Sequence, residues 1–204
     1  MAKDSSFEVL LFDLGGVLMD FAGFDELGLF LPDSPDRTQI RDRWIRSEAV
    51  QRFERGEITA DRFATSVIEE MKIELSPSDF LEHFVDWARE PSQETITLLV
   101  RLGERFRIAA LSNANELHTP LHRKRFRRVI ETFYFSDEIG QVKPDRAIFD
   151  HVIQDLGVPP HRIAYFDDTP VNVEAARESG ITSFQVDGTD ELTSQLRVLN
   201  LLND

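Results

Sequence analysis

Cysteine is absent from the 204 residues, which excludes a disulfide, a thiolate metal site and a thiol nucleophile. That absence fits a reducing compartment. Positive charge is scarce: 23 lysines and arginines face 37 aspartates and glutamates, a formal net charge of -14. Such an imbalance argues against a sequence-independent grip on nucleic acid or on an anionic membrane. Internal repeats, low-complexity tracts and Gly/Ser linkers are missing as well. The opening MAKDSS is polar and the apolar run after it is interrupted by Asp13, so neither a signal-peptide core nor a membrane span can be drawn there. The expectation is a soluble, cytoplasmic protein with one core, or one core plus a small inserted subdomain.

What is present is organised around Phe7 to Asp20, FEVLLFDLGGVLMD. Val9 to Phe12 show no polar alternation, as expected of a strand covered on both faces in a parallel sheet. The run ends on Asp13, and ligands of open α/β sheets sit outside the carboxyl ends of such strands. Gly15 and Gly16 let the chain turn away and approach a ligand closely. Alone, Asp13 could equally cap a turn. Three further apolar runs, however, lead to polar residues able to bind phosphate or metal, at Ser112, at Lys143 and at Asp167 with Asp168.

Between Ala22 and Glu90 no convincing strand is found, only helical patterns broken by Pro32, Pro35, Gly56 and Pro77. The spacing predicts one amphipathic helix over Asp36 to Arg55, a second after Thr59, and a third after Ser76 with Pro77 at its first position. Their aromatic residues are expected to pack against one another. Strand and helix alternate again from Pro91, with strands expected at 106–111, 132–135, 162–166 and 181–186. Pro144 is expected to start a helix and so to hold Lys143 at its entrance. The basic run His122 to Arg128 reads as one solvated helix face rather than a nucleic-acid patch. The fold class is therefore α/β, a Rossmann-like five-stranded parallel sheet with a small helical insert. Residues 1–20 and 91–204 form the core, and 21–90 the insert.

If these strands lie side by side, Asp13, Ser112, Lys143, Asp167 and Asp168 meet at one edge. Three carboxylates concentrate negative charge that a cation would neutralise, and all-oxygen ligation suits Mg²⁺. A lysine and a hydroxyl beside it would hold the oxygens of a phosphoryl group. Asp13 would then serve as a carboxylate nucleophile.

At this point the chain resembles the haloacid dehalogenase (HAD) superfamily. FDLGGVL is similar to that family's first motif, LSN with Ser112 to its second, VKPD with Lys143 to its third and YFDDTPVNVEAA to its fourth. The insert resembles the family's small helical cap. SEAVQRFERGEIT and LSNANELH resemble the subgroup containing bacterial α-D-glucose-1-phosphate phosphatase and the phosphatase domain of soluble epoxide hydrolase. The resemblance implies a Mg²⁺-dependent phosphatase acting on a small phosphorylated metabolite, such as a sugar phosphate, through an aspartyl-phosphate. It makes Asp13 nucleophile and metal ligand, the Gly15 carbonyl and Asp168 further ligands, and Asp167 a neighbour of the metal. Ser112, the amide of Asn113 and Lys143 would hold the phosphoryl oxygens. No nucleic acid or membrane partner is implied. Oligomeric state is left open, with a monomer as the default.

Two departures stand out. Gly15 occupies the place where family phosphatases usually carry an acid/base aspartate, and Asn172 stands where a further aspartate is common. Losing a general acid/base costs roughly 10²- to 10⁴-fold. Such a loss favours a good leaving group such as a sugar 1-phosphate. His118, shortly after the second motif, could supply a proton, although a helix-entrance histidine is the plainer reading. The rival readings are 2-haloacid dehalogenation, which the acidic pair disfavours, and a non-catalytic protein that binds a phosphorylated ligand or a partner.

Overall fold

The computed structural model describes residues 7–202, so the first six and last two residues of the expected core lie outside it. Five strands, β1 (Val9–Phe12), β2 (Arg107–Ser112), β3 (Thr132–Phe135), β4 (Ile163–Asp167) and β5 (Thr182–Gln185), form one sheet in the order β3-β2-β1-β4-β5. Every pairing is parallel. The apolar run read as a doubly covered strand is the central one, buried at all four positions. Register then decides the site: Phe12 lies opposite Ala110 on one side and Phe166 on the other. The residues just beyond these, Asp13, Ser112, Asp167 and Asp168, therefore emerge at one edge.

Because side chains alternate across a strand, β1 feeds two apolar layers. Leu10 and Phe12 pack with Leu98, Leu99 and Leu102 of α6 (Gln93–Gly103) and with Leu192 and Leu196 of α11 (Gly188–Val198), on one face. On the other, Val9 and Leu11 meet Ile148, Phe149 and Val152 of α9 (Arg146–Leu156) and Ala176 of α10 (Pro170–Glu178). The remaining helices on the sheet side are α7 (His118–Phe126) and the single turn α8 (Ser136–Ile139), with a 3₁₀ turn at Pro160–Arg162.

Residues 22–90 carry α1 (Gly23–Gly28), α2 (Arg37–Arg46), α3 (Glu48–Glu54), α4 (Ala60–Met71) and α5 (Pro77–Asp86). The expected single helix over Asp36 to Arg55 is two. Ser47 is extended at φ -64°, ψ 125°, closes α2, and accepts from Val50 N–H at 3.2 Å to open α3. A serine hydroxyl offers the backbone a cap that competes with helix continuation. Thr59 and Ser76 cap α4 and α5 as expected, with Pro77 at the first position of α5. The six-residue α1 is too short to show a helical period in the sequence. These helices bury an aromatic cluster of their own, in which Phe63 stacks on Phe53 at 4.3 Å between centroids and packs against Trp44, Phe80 and Phe84. An isolated antiparallel bridge between Phe21 and Ala88 ties the way into this block to the way out.

Two other expectations change. Helix α9 begins at Arg146, not at Pro144, and Lys143 with Pro144 forms a turn ahead of it. The basic run is not one solvated face, because His122 and Phe126 are buried, Arg123 pairs with Glu138 at 2.7 Å and Arg125 with Glu90 at 2.7 Å. Among the described residues no helix is long and apolar enough to cross a membrane.

Candidate active site

The Asp13 carboxylate sits one residue past β1, where its own N–H donates to the Phe166 carbonyl of β4 at 2.9 Å. Its Oδ1 accepts from the Leu14 N–H at 2.8 Å and stands 2.9 Å from the Lys143 ammonium. Lys143 Nζ is also 2.7 Å from Asp167 Oδ2 and donates to the Leu111 carbonyl at 3.2 Å. What aims this lysine is not a helix entrance but a side chain. Asn113 donates from Nδ2 to the Lys143 carbonyl at 3.1 Å and accepts the Lys143 N–H at 2.8 Å, clamping both sides of the residue. The loop carrying Asn113 is pinned in turn by Ser136, whose hydroxyl accepts from Ala114 N–H at 2.9 Å and donates to the Ala114 carbonyl at 3.1 Å. Ser112 ends β2, buried beside these groups.

The two acidic neighbours at the end of β4 have different surroundings. Asp167 is fully buried and saturated: Lys143, the Tyr165 hydroxyl and Asn172 donate to Oδ2, while the Thr169 N–H, at 2.7 Å, and Asn172 donate to Oδ1. Asn172, the expected departure, thus replaces a charge with a donor that spans both oxygens at 3.1 Å. Asp168 is more open. It accepts from the Thr169 hydroxyl at 2.9 Å and from Arg41 of α2 at 3.2 Å. Thr169 occupies the N-cap position of α10, yet its side chain serves Asp168 and Arg41 rather than the helix. Gly16 makes the close approach of Asp168 possible: its φ is +79°, and a Cβ there would lie 3.0 Å from the Asp168 carboxyl group.

Electrostatics follow from this packing. Burial pushes Asp13 up to about 7, with Lys143 opposing and Asp167 and Asp168 assisting. Burial would lower Lys143, but Asp13 and Asp167 outweigh it and hold it above its ordinary value, so it is an ammonium throughout the physiological range. Burial would likewise raise Asp167, but Lys143, Tyr165 and Thr169 prevail and hold it ionised below its ordinary value. Burial raises Asp168, with Arg41 pulling the other way. A divalent cation would relieve the strain on Asp13 and Asp168 alike. The carboxylates fit one: an oxygen of Asp13, one of Asp168 and one of the donor-saturated Asp167 lie within 4.8 Å of one another, and hard oxygen donors such as those of Asp13 and Asp168 suit Mg²⁺.

His118 lies elsewhere in function. Its Nε2 is 2.9 Å from the Phe84 carbonyl and its Nδ1 3.3 Å from Asn115 Nδ2, while burial depresses it to about 4. Neither ring nitrogen is available to a leaving group. Two residues reach the site that the sequence did not single out, Arg41 and Glu54, both from the helical block. Burial pushes Glu54 up to about 7, where Lys143, Asn113, Arg55 and Asp13 act on it.

Comparison with known proteins accords with this geometry. The haloacid dehalogenase-like hydrolase family matches residues 7–180, and the chain belongs to that family. It is thus a hydrolase by family. The D-ribitol-5-phosphate phosphatase of Bacteroides thetaiotaomicron is 24% identical over 204 residues, 93% of this chain and 97% of that protein. A phosphorylated carbohydrates phosphatase of Thermotoga maritima is 25% identical, over 85% of this chain and 82% of its own. Among solved structures, the HAD family enzyme BT-2542 of Bacteroides thetaiotaomicron, in complex with magnesium and inorganic phosphate, superposes with a TM-score of 0.68 at 25% identity. The match covers 88% of this chain and 93% of that one.

Proposed function

We propose that the protein is a Mg²⁺-dependent phosphatase of small phosphorylated carbohydrates, working through an aspartyl-phosphate on Asp13. The observation that carries this reading is the placement of Asp13 at the end of the central strand, 2.9 Å from Lys143 and within 4.8 Å of Asp168. A carboxylate nucleophile splits one difficult hydrolysis into two displacements. Bound Mg²⁺ would supply charge neutralisation at the phosphoryl oxygens. Asp13, Asp168 and the Gly15 carbonyl would hold it. Asp167, saturated by donors, would act by fixing and balancing Lys143. Lys143, the Ser112 hydroxyl and the Asn113 amide would hold the phosphoryl oxygens, where donors already in place need no reorganisation. Residues 21–90 would form the cap that selects the substrate, and 1–20 with 91–204 the catalytic core. The two carbohydrate phosphatases among the relatives support a polyol or sugar phosphate as substrate.

The test is phosphate release from p-nitrophenyl phosphate, sugar 1-phosphates and pentitol phosphates, with and without Mg²⁺. Turnover should require the metal and fall on the order of 10⁶-fold in Asp13→Asn, the scale of nucleophile removal in a covalent hydrolase. Absence of turnover with every ester, or an Asp13→Asn variant as active as the wild type, would overturn the reading.

A further inference from the structure

Expelling an alkoxide from a phosphate ester calls for a proton on the departing oxygen, and hydrolysing the acyl phosphate calls for a base on water. The groups clustered on Asp13 are committed to other work. Lys143 is shared between two carboxylates, both oxygens of Asp167 accept from protein donors, and Asp168 is engaged by Arg41 and Thr169. Tyr165 donates to Asp167, and both nitrogens of His118 have partners away from Asp13. Gly15 contributes no side chain.

Glu54 is placed differently. It is the last residue of α3, and the next two residues anchor that end of the helix to the sheet domain. Arg55 pairs with Asp145 at 3.1 Å, two residues beyond Lys143. Gly56, at φ +69°, packs so closely on Asp137 that a Cβ would come within 2.6 Å of its carbonyl oxygen. No larger residue fits there without moving α3 away. These contacts hold the end of α3 against the turn that carries Lys143, so Glu54, the last residue of that helix, is half-buried there, and Lys143, Asn113, Arg55 and Asp13 act on its carboxyl.

Resting on the phosphatase reading above, we infer that Glu54, delivered by the helical insert, is the general acid and base of the reaction. In the first step Asp13 attacks phosphorus, the bond from phosphorus to the substrate oxygen breaks, and the Glu54 proton passes to that oxygen. In the second, the Glu54 carboxylate takes a proton from water as the water oxygen attacks phosphorus. The bond to Asp13 breaks, its carboxylate is restored, inorganic phosphate departs, and Glu54 is protonated again. Protons and charge balance over the cycle without another reactant.

The acidity of Glu54 suits both steps. Burial raises it to about 7 against the opposing pull of Lys143, the Asn113 hydrogen bond and Arg55, with Asp13 assisting. Near neutral pH such a group exists in both forms, as an acid/base that alternates roles requires. An exposed glutamate near 4.3 would be almost wholly ionised and a poor donor.

The experiment compares wild type with Glu54→Gln and Glu54→Asp on an alkyl phosphate, such as a pentitol phosphate, and on p-nitrophenyl phosphate, whose phenolate departs without a proton. Glu54→Gln should lose about 10²- to 10⁴-fold in kcat/KM on the alkyl ester. On p-nitrophenyl phosphate it should keep kcat/KM within a few-fold but show a stoichiometric burst of p-nitrophenolate, because the second step still lacks its base. The wild-type alkyl profile should fall above about pH 7, and Glu54→Asp should recover part of the loss. Equal losses on both esters without a burst, or no loss on either, would overturn the role of Glu54 while leaving Asp13 as nucleophile. If the wild type hydrolyses no ester, this inference falls together with the phosphatase reading.

Discussion

The edge of the sheet that carries Asp13 and the seam between the sheet and the helical block treat buried polar atoms in opposite ways. At the edge, Asp13, Lys143, Asp167, Asn172 and Tyr165 form a network in which each member is partnered, two of them by three or more donors or acceptors. At the seam, the Trp87 indole N–H, His122 Nδ1 and Arg125 Nη1 are buried with no hydrogen-bond partner among the described residues. Trp87 and His122 are linked through Phe84 and His118, whose rings contact one another and Trp87 and His122 respectively. A saturated network rigidifies, whereas an unpartnered buried donor or acceptor carries a penalty of about 1–3 kcal/mol. The difference teaches that the charged cluster is held in place by mutual satisfaction, while at the seam part of the gain from packing is offset by groups left unpartnered.

The sharpest way to break the comparison is to unbalance the edge. Lys143→Met leaves Asp13 and Asp167 buried without their shared cation, which should cost about 3–5 kcal/mol of stability in urea unfolding. The sign follows from the raised pKa of Lys143: its contribution is full below the ordinary lysine value and is lost only as pH rises through the still higher folded value. The loss in the variant should therefore be large across the neutral range. A loss under about 1 kcal/mol at neutral pH would show that the pair is not held by charge balance.

The insert's own core provides the next contrast. Phe63 touches Trp44, Phe53, Phe80 and Phe84, so Phe63→Ala removes the hub of one cluster without touching the sheet. A loss of about 3–5 kcal/mol is expected by thermal or urea unfolding. Hydrogen exchange should show protection lost across α2 to α5 while β1, β2 and β4 keep theirs. Uniform loss through both regions would mean that sheet and insert unfold as one unit.

This division also explains what could be read in the sequence. A doubly covered parallel strand leaves an unbroken apolar run, and a polar residue at its end is conspicuous, so Asp13, Ser112 and Asp167 could be found without coordinates. The insert hides its contributions because a periodic pattern marks only the apolar face of a helix. Arg41 and Glu54 sit among charged residues whose direction depends on how α2 and α3 are docked, and docking is set by long-range contacts such as Arg55 with Asp145. The break at Ser47 was obscured in the same way: Trp44, Ile45 and Phe53 can all be drawn on one continuous helix, and a single serine cap overrides them. Lys143 is legible from its place after an apolar run, but the means of holding it is not, since the Asn113 amide rather than a helix start clamps it.

The smallest effect concerns the seam itself, where His122 is buried, unpartnered at Nδ1 and stacked 6.2 Å from Phe135. Burial first, then His118 and Arg125, hold it down to about 3. The unfolded chain takes up a proton below the ordinary histidine value of about 6.5, and the folded protein refuses it until far lower pH. Stability is therefore full above pH 6.5 and is lost as pH falls toward the folded value, by up to about 1.4 kcal/mol per pH unit for this residue. Replacing the imidazole with a ring that carries no proton and no unpartnered nitrogen removes both penalties. His122→Phe should thus gain about 1 kcal/mol near pH 7.5 and roughly 1 kcal/mol more near pH 5.5, read as urea midpoints at the two values. Parallel curves for variant and wild type would mean that His122 finds a partner in solution, and the seam would then be as well satisfied as the Asp13 edge.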